Sequence, residues 1–154
     1  MGAVSGGATS SKFPPVLRKR VAKYSMIRVA LADDHAEMRV ALRLLLSISK
    51  EIEIVCETSN GQEAVDCVKR LQPDILVMDI HMPVLGGFAA TKQITDLSVP
   101  TRVILMSTDT GIFITMQAAV VGAQGFVPKD DVVKLLLPAI EAVHRGETFF
   151  VEKR

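Results

Sequence analysis

No apolar run in the chain approaches the ~20 residues that a membrane-crossing helix needs, although 49% of its residues are hydrophobic and the mean hydropathy is +0.32. A soluble protein with no membrane partner is therefore expected. The N-terminus also lacks the continuous apolar stretch of a secretory signal, which makes a cytoplasmic location the expectation. Cysteine is scarce. Cys56 and Cys67 have neither CxxC nor metal-ligand spacing, so a disulfide scaffold is excluded and both are expected to be buried apolar side chains in a reducing compartment. The three histidines are scattered and suggest no zinc site. Acid is missing from residues 1–25, where Lys12, Arg18, Lys19, Arg20 and Lys23 lie. Of 18 basic and 17 acidic side chains this leaves 13 against 17, a net of −4 for the body. An acidic body is a poor surface for DNA phosphates, so DNA binding by the body itself is not expected.

What is present divides into two stretches. Residues 1–25 show no sustained period and contain Pro14-Pro15, and they read as a flexible basic leader. Residues 26–154 have the length of one domain, about 100 to 150 residues. From Ile27 onward short apolar runs alternate with amphipathic stretches, the pattern of a parallel sheet covered by helices on both faces. Strands are predicted at Ile27 to Ala32, Ile52 to Glu57, Ile75 to Met78, Val103 to Met106 and Gly125 to Val127. In the second helical stretch Asn60 and Glu63 have capping-box spacing, Ala64, Val68 and Leu71 share a face, and Pro73 ends the helix. In the fifth, Val132, Leu135, Leu136, Ala139, Ile140 and Val143 form a stripe that Gly146 closes. Pro138 lies inside this stripe, which predicts a kink or a late start. The fold class is α/β, a doubly wound five-stranded parallel sheet.

Ligands of such sheets bind beyond the carboxyl ends of the strands. The first strand ends in Asp33-Asp34, the third in Asp79, the fourth in Ser107-Thr108, and the fifth runs through Phe126 to Lys129. Singly, each has an ordinary explanation as a helix cap or a solvated charge. Together they gather three carboxylates, a hydroxyl and an ammonium at one sheet edge. Three close carboxylates drive one another toward protonation unless a cation neutralises them, and Mg²⁺ suits oxygen ligands while leaving room for a phosphate oxygen. A carboxylate can attack phosphorus, and metal, ammonium and hydroxyl can neutralise the charge-rich transition state.

The strings LADDH, DILVMDIHMPVLGG, VILMST and GAQGFVPKD, in this order, resemble the motifs of response-regulator receiver domains, from about Met26 to the C-terminus. The resemblance implies a CheY-like, flavodoxin-like (βα)5 sheet with strand order 2-1-3-4-5. It makes Asp33 and Asp34 the metal-binding pair, Asp79 the phosphoacceptor and a metal ligand, and the His81 backbone carbonyl a further ligand for Mg²⁺. Ser107 becomes the switch hydroxyl, Phe126 the aromatic switch and Lys129 the phosphate-contacting lysine. Pro83 and Gly87 shape the turn into the third helix, and His81 and Asp109 tune the lifetime of the phosphoryl group. A sensor histidine kinase is the implied partner. AIEAVHRGETFF looks like the last receiver helix of the LuxR/NarL-type transcription regulators, whose DNA-binding helix-turn-helix domain is absent from this chain. Three positions depart from the pattern. Pro128 precedes Lys129 and Asp130 follows it, Thr108 stands where a small residue is usual, and Phe126 has no hydroxyl.

Two other readings use the same residue types. A haloacid-dehalogenase-type phosphatase also combines an aspartate nucleophile with Mg²⁺, but it resembles DxD first and the acidic pair last, and this chain lacks the length for a substrate cap. A phosphorylation-independent docking module typically lacks site residues that this chain retains. The long stripe of the fifth helix also raises the expectation of a two-fold homodimer.

Overall fold

The computed structural model describes residues 25–152. The expected basic leader falls, but for Ser25, outside the described residues. The elements are β1 (Ile27–Ala32), α1 (Ala36–Leu46), β2 (Ile52–Thr58), α2 (Gly61–Leu71), β3 (Ile75–Asp79), α3 (Gly87–Asp96), β4 (Arg102–Ser107), α4 (Ile112–Val120), β5 (Gly125–Pro128), α5 (Val132–His144) and β6 (Phe149–Phe150). All five predicted strands are present, two of them lengthened by the very residues that carry the chemistry. Asp79 closes β3 and Ser107 closes β4.

Every strand pair is parallel, in the order β2-β1-β3-β4-β5-β6. The predicted order holds for five strands. The sixth, two residues long, was not predicted. It adds to the outer edge of β5, with Phe149 beside Gly125 and Phe150 beside Phe126.

Side chains alternate across the sheet with the period of two that extended backbone imposes. Val29, Leu31, Ile75, Val77, Ile104, Met106 and Val127 point to one face, which α1 covers with Leu42 and Leu46 and α5 with Leu136, Ala139, Ile140 and Val143. Ala30, Ala32, Leu76, Met78, Leu105 and Phe126 point to the other, under α2, α3 and α4. The apolar stripe of α5 is thus spent on the sheet. The expected two-fold dimer loses the support of that stripe. Pro138 neither delays nor ends α5, which begins at Val132 and runs 13 residues through it. Pro138 is exposed, so water can reach the carbonyl that it leaves without an intrahelical partner.

Local signals explain the boundaries. Asn60 Oδ1 accepts the Glu63 amide at the start of α2, while Glu63 Oε1 accepts the Ser59 amide and hydroxyl, a capping box shifted by one residue. Two arginines at strand starts close helix ends. Arg28 donates to the Leu71 and Gln72 carbonyls at the C-terminal end of α2, and Arg102 to those of Val143 and His144 in the last turn of α5. Cys56 and Cys67 are free and pack between β2 and α2; burial, then the contact with Cys56, pushes the Cys67 thiol up to about 12. That thiol is inert near neutral pH. No helix among the described residues is long and apolar enough to cross a membrane.

The loop after β3 is tied down by backbone contact. Gly61 donates to the Leu85 carbonyl and Gly87 to that of Ile80. A Cβ on Gly87 would collide with the Asp79 carbonyl oxygen and the Ile80 Cα, whereas one on Gly86 would meet only the Ile80 carbonyl at 3.4 Å. Gly87→Ala should therefore destabilise the chain by about 1–3 kcal/mol and Gly86→Ala by much less. Urea denaturation of the two variants checks this, and equal midpoints would refute it. In the same loop Val84, a β-branched residue, holds φ at 69°, a strained conformation beside the site.

Candidate functional site

The chain order places β1 and β3 side by side, and connections leave this pair toward opposite faces of the sheet. A crevice opens there at the carboxyl ends of the strands. Into it the fold brings Asp33 and Asp34 from the end of β1, Asp79 from β3 and Lys129 from just beyond β5. Asp33 is fully buried, Asp79 is 3% exposed and Ser107 is fully buried.

Lys129 draws two of the acids together. Its Nζ donates to Asp79 Oδ2 at 3.0 Å and lies 2.8 Å from Asp33 Oδ2. The second approach has ion-pair distance without hydrogen-bond alignment, so Asp33 Oδ2 is a buried oxygen with no hydrogen bond. Asp79 Oδ1 accepts the His81 amide at 3.2 Å. Asp33 Oδ1 accepts the His35 amide at 2.9 Å, and the Arg39 guanidinium holds the Asp33 carbonyl at 2.6 Å. Ser107 Oγ accepts the Asp109 amide at 2.9 Å.

Burial pushes the Asp79 carboxyl above the ordinary carboxylate range; Lys129 and the His81 amide pull it back only in part, and Asp33 adds to the rise. Burial alone would lower Lys129, but its contacts with Asp33 and Asp79 outweigh it and hold the ammonium above its usual value. The two shifts have opposite consequences. An acid that holds its proton more tightly when folded withdraws stability as pH rises through its titration. The stability contributed by Lys129 is present below its unfolded value and is lost only as pH rises through the folded one, well into the alkaline range. Asp79→Asn is thus expected to raise the melting temperature of metal-free protein at pH ~7, with the gain vanishing towards about pH 3, where the carboxyl is protonated folded and unfolded alike. Calorimetry in chelator measures this. A variant that melts at or below the wild type at neutral pH would contradict it.

One ligand atom each from Asp33, Asp34, His35 and Asp79 lies within 4.8 Å of the others. Oxygen donors that converge on a buried, unbonded carboxylate oxygen fit a small divalent cation. His35 and Arg39 were not singled out in the sequence. A histidine directly after an acidic pair was the available signal for the first, whereas the contact of Arg39 with a backbone carbonyl has no sequence signal. His81 and Asp109 are both exposed and pair with each other, Nε2 to Oδ2 at 2.8 Å. Phe126 is fully buried, next to Leu105 in the β4–β5 ladder. Thr108 is exposed and His144 lies at the exposed end of α5.

A doubly wound parallel sheet with acids, a hydroxyl and a lysine at its carboxyl edge defines the class, an α/β domain of the receiver type with an acidic cluster at that edge. Residues 29–141 match the response regulator receiver domain family, and the chain belongs to that family. It is 44% identical over 109 residues to a protein-glutamate methylesterase/protein-glutamine glutaminase of Methanosarcina mazei, which covers 70% of this chain and 30% of that protein. It is 35% identical over 121 residues to the transcriptional regulatory protein LnrK of Bacillus subtilis, covering 79% of this chain and 55% of LnrK. In structure it is similar to a LuxR-family two-component response regulator from an Aurantimonas species, with a TM-score of 0.77, 31% identity, and 81% of this chain and 89% of that one covered. The chain thus spans about half the length of the regulator and under a third of the methylesterase.

Proposed function

We propose that a sensor histidine kinase phosphorylates Asp79, and that the domain converts this event into control of transcription. The observation that carries the reading is the buried Asp79 carboxylate, which shares the Lys129 ammonium with Asp33 at the end of β3. An Asp79 oxygen attacks phosphorus in line, so that a new O–P bond forms as the bond to the donor nitrogen breaks and the departing imidazole takes up a proton. Asp33, Asp34, Asp79 and the His81 carbonyl would hold Mg²⁺, which would supply positive charge for the phosphoryl oxygens. Lys129 offers a second positive centre. Ser107 then donates its hydroxyl to a phosphoryl oxygen, and Phe126 passes the movement to the surface around α4, β5 and α5 by packing alone.

Transcription is favoured by the name of LnrK and by the LuxR-family neighbour, and DNA would be reached through a further C-terminal domain. The methylesterase relative favours a second output, catalysis by an attached domain. The receiver reading itself is tested with acetyl phosphate. The expected product carries one phosphoryl group, labile to base, and forms only with Mg²⁺. Sustained turnover of p-nitrophenyl phosphate would instead support the phosphatase.

His81 and Asp109 are proposed to set the lifetime of the phosphoryl group as a pair. Asp109 can orient a water for hydrolysis, and His81 holds it away from that task. Asp109→Ala should slow phosphoryl loss and His81→Ala should hasten it, each by up to about 100-fold. Decay followed after donor removal, at fixed Mg²⁺ and pH, reads both. Unchanged rates in both variants would end the proposal.

A further inference from the structure

His35 occupies the N-cap position of α1, where Ser, Thr, Asp and Asn are favoured because they bond the first free amides. It makes no such bond. Its ring is turned instead onto the acids, with Nδ1 3.3 Å from Asp33 Oδ1 and 3.2 Å from Asp34 Oδ1. Two ligands at adjacent corners of an octahedron with bonds of ~2.1 Å stand about 3 Å apart, close to these spacings. A ring nitrogen of His35 also falls within 4.8 Å of a carboxylate oxygen of Asp79. The side chain is 66% exposed, so packing does not force this orientation.

A donor set of carboxylate oxygens and water suits the hard Mg²⁺ ion. An imidazole nitrogen does little for Mg²⁺ but strengthens binding of borderline first-row ions such as Mn²⁺, Co²⁺ and Zn²⁺. We propose that His35 Nδ1 is a fourth side-chain ligand of the acidic site and shifts its preference from Mg²⁺ toward these transition-metal ions. The inference rests on the reading of Asp33, Asp34 and Asp79 as a cation site. The opposing account makes His35 a positive charge that occupies the place of the cation. In that case its removal tightens metal binding instead of weakening it.

The test uses the whole chain loaded with Mn²⁺, without a phosphoryl donor. Spin-echo modulation from an imidazole nitrogen is expected on the bound ion in the wild type and in His81→Ala, and is expected to vanish in His35→Ser. Serine is a favoured N-cap residue and keeps the helix start intact. By calorimetric titration, Mn²⁺ affinity should fall on the order of tenfold or more in His35→Ser, with Mg²⁺ affinity changed little. Bound Mn²⁺ without the nitrogen signal, loss of that signal in His81→Ala, or equal or tighter Mn²⁺ binding by His35→Ser overturns the role of His35 and leaves the acidic site standing. Failure of the wild type to bind either ion overturns both.

Discussion

In acetyl phosphate and Mg²⁺ the wild-type chain is expected to gain the mass of one phosphoryl group, and Asp79→Asn none. The amide cannot supply the anionic oxygen that attacks phosphorus, and no other carboxylate stands where Asp79 does, at the end of the central strand with Lys129 at 3.0 Å. Asp33 is closest to an alternative. Its Oδ1, however, is held by the His35 amide, and its Oδ2 faces Lys129 from the bottom of the site. Chelation of Mg²⁺ should suppress the reaction in the wild type just as fully, because three carboxylates and an incoming dianion repel one another when no metal ion adds its charge to that of the Lys129 ammonium. Intact-mass spectrometry separates the outcomes. A phosphoryl adduct on Asp79→Asn, or one formed equally well in chelator, would remove Asp79 from the centre of the account.

Ser107→Ala should still be phosphorylated but should lose the conformational response. The hydroxyl is buried at the end of β4, one residue beyond the Met106 that pairs with Asp79, and it accepts the Asp109 amide at 2.9 Å. A phosphoryl group on Asp79 offers new acceptor oxygens beside it. If the hydroxyl turns to donate, β4 and the segment that begins at Asp109 are drawn inward. Without the hydroxyl the attack on phosphorus proceeds, since Asp79, Lys129 and the acids are untouched, but nothing pulls on β4. Backbone amide shifts report the difference. The phosphorylated wild type should show changes through β4, α4 and β5 that are absent from the variant, and equal changes in both would refute the coupling. Phe126 constrains this picture, because its ring is already fully buried and any later step must proceed by repacking within the core.

Much of this was legible in the chain itself. Five apolar runs at the spacing of βα units dictate a parallel sheet, because two-faced burial calls for continuous Val, Ile and Leu and leaves polar residues for the strand ends. The residues after those runs are therefore the chemical ones, and Asp33, Asp34, Asp79 and Lys129 do meet at one edge. The β6 strand was not legible. Two phenylalanines are too short a run to show a period, and they pair with β5 because the turn after α5 returns the chain alongside it. The orientation of His35 and the 28-residue separation bridged between His81 and Asp109 were equally hidden. The sequence determined which groups arrive at the carboxyl edge, since periodicity fixes the strands and a right-handed, doubly wound path fixes where they end. Only the tertiary structure decided which atoms then touch, because hydrogen bonds and ion pairs depend on tenths of an ångström set by packing, which residue order does not encode locally.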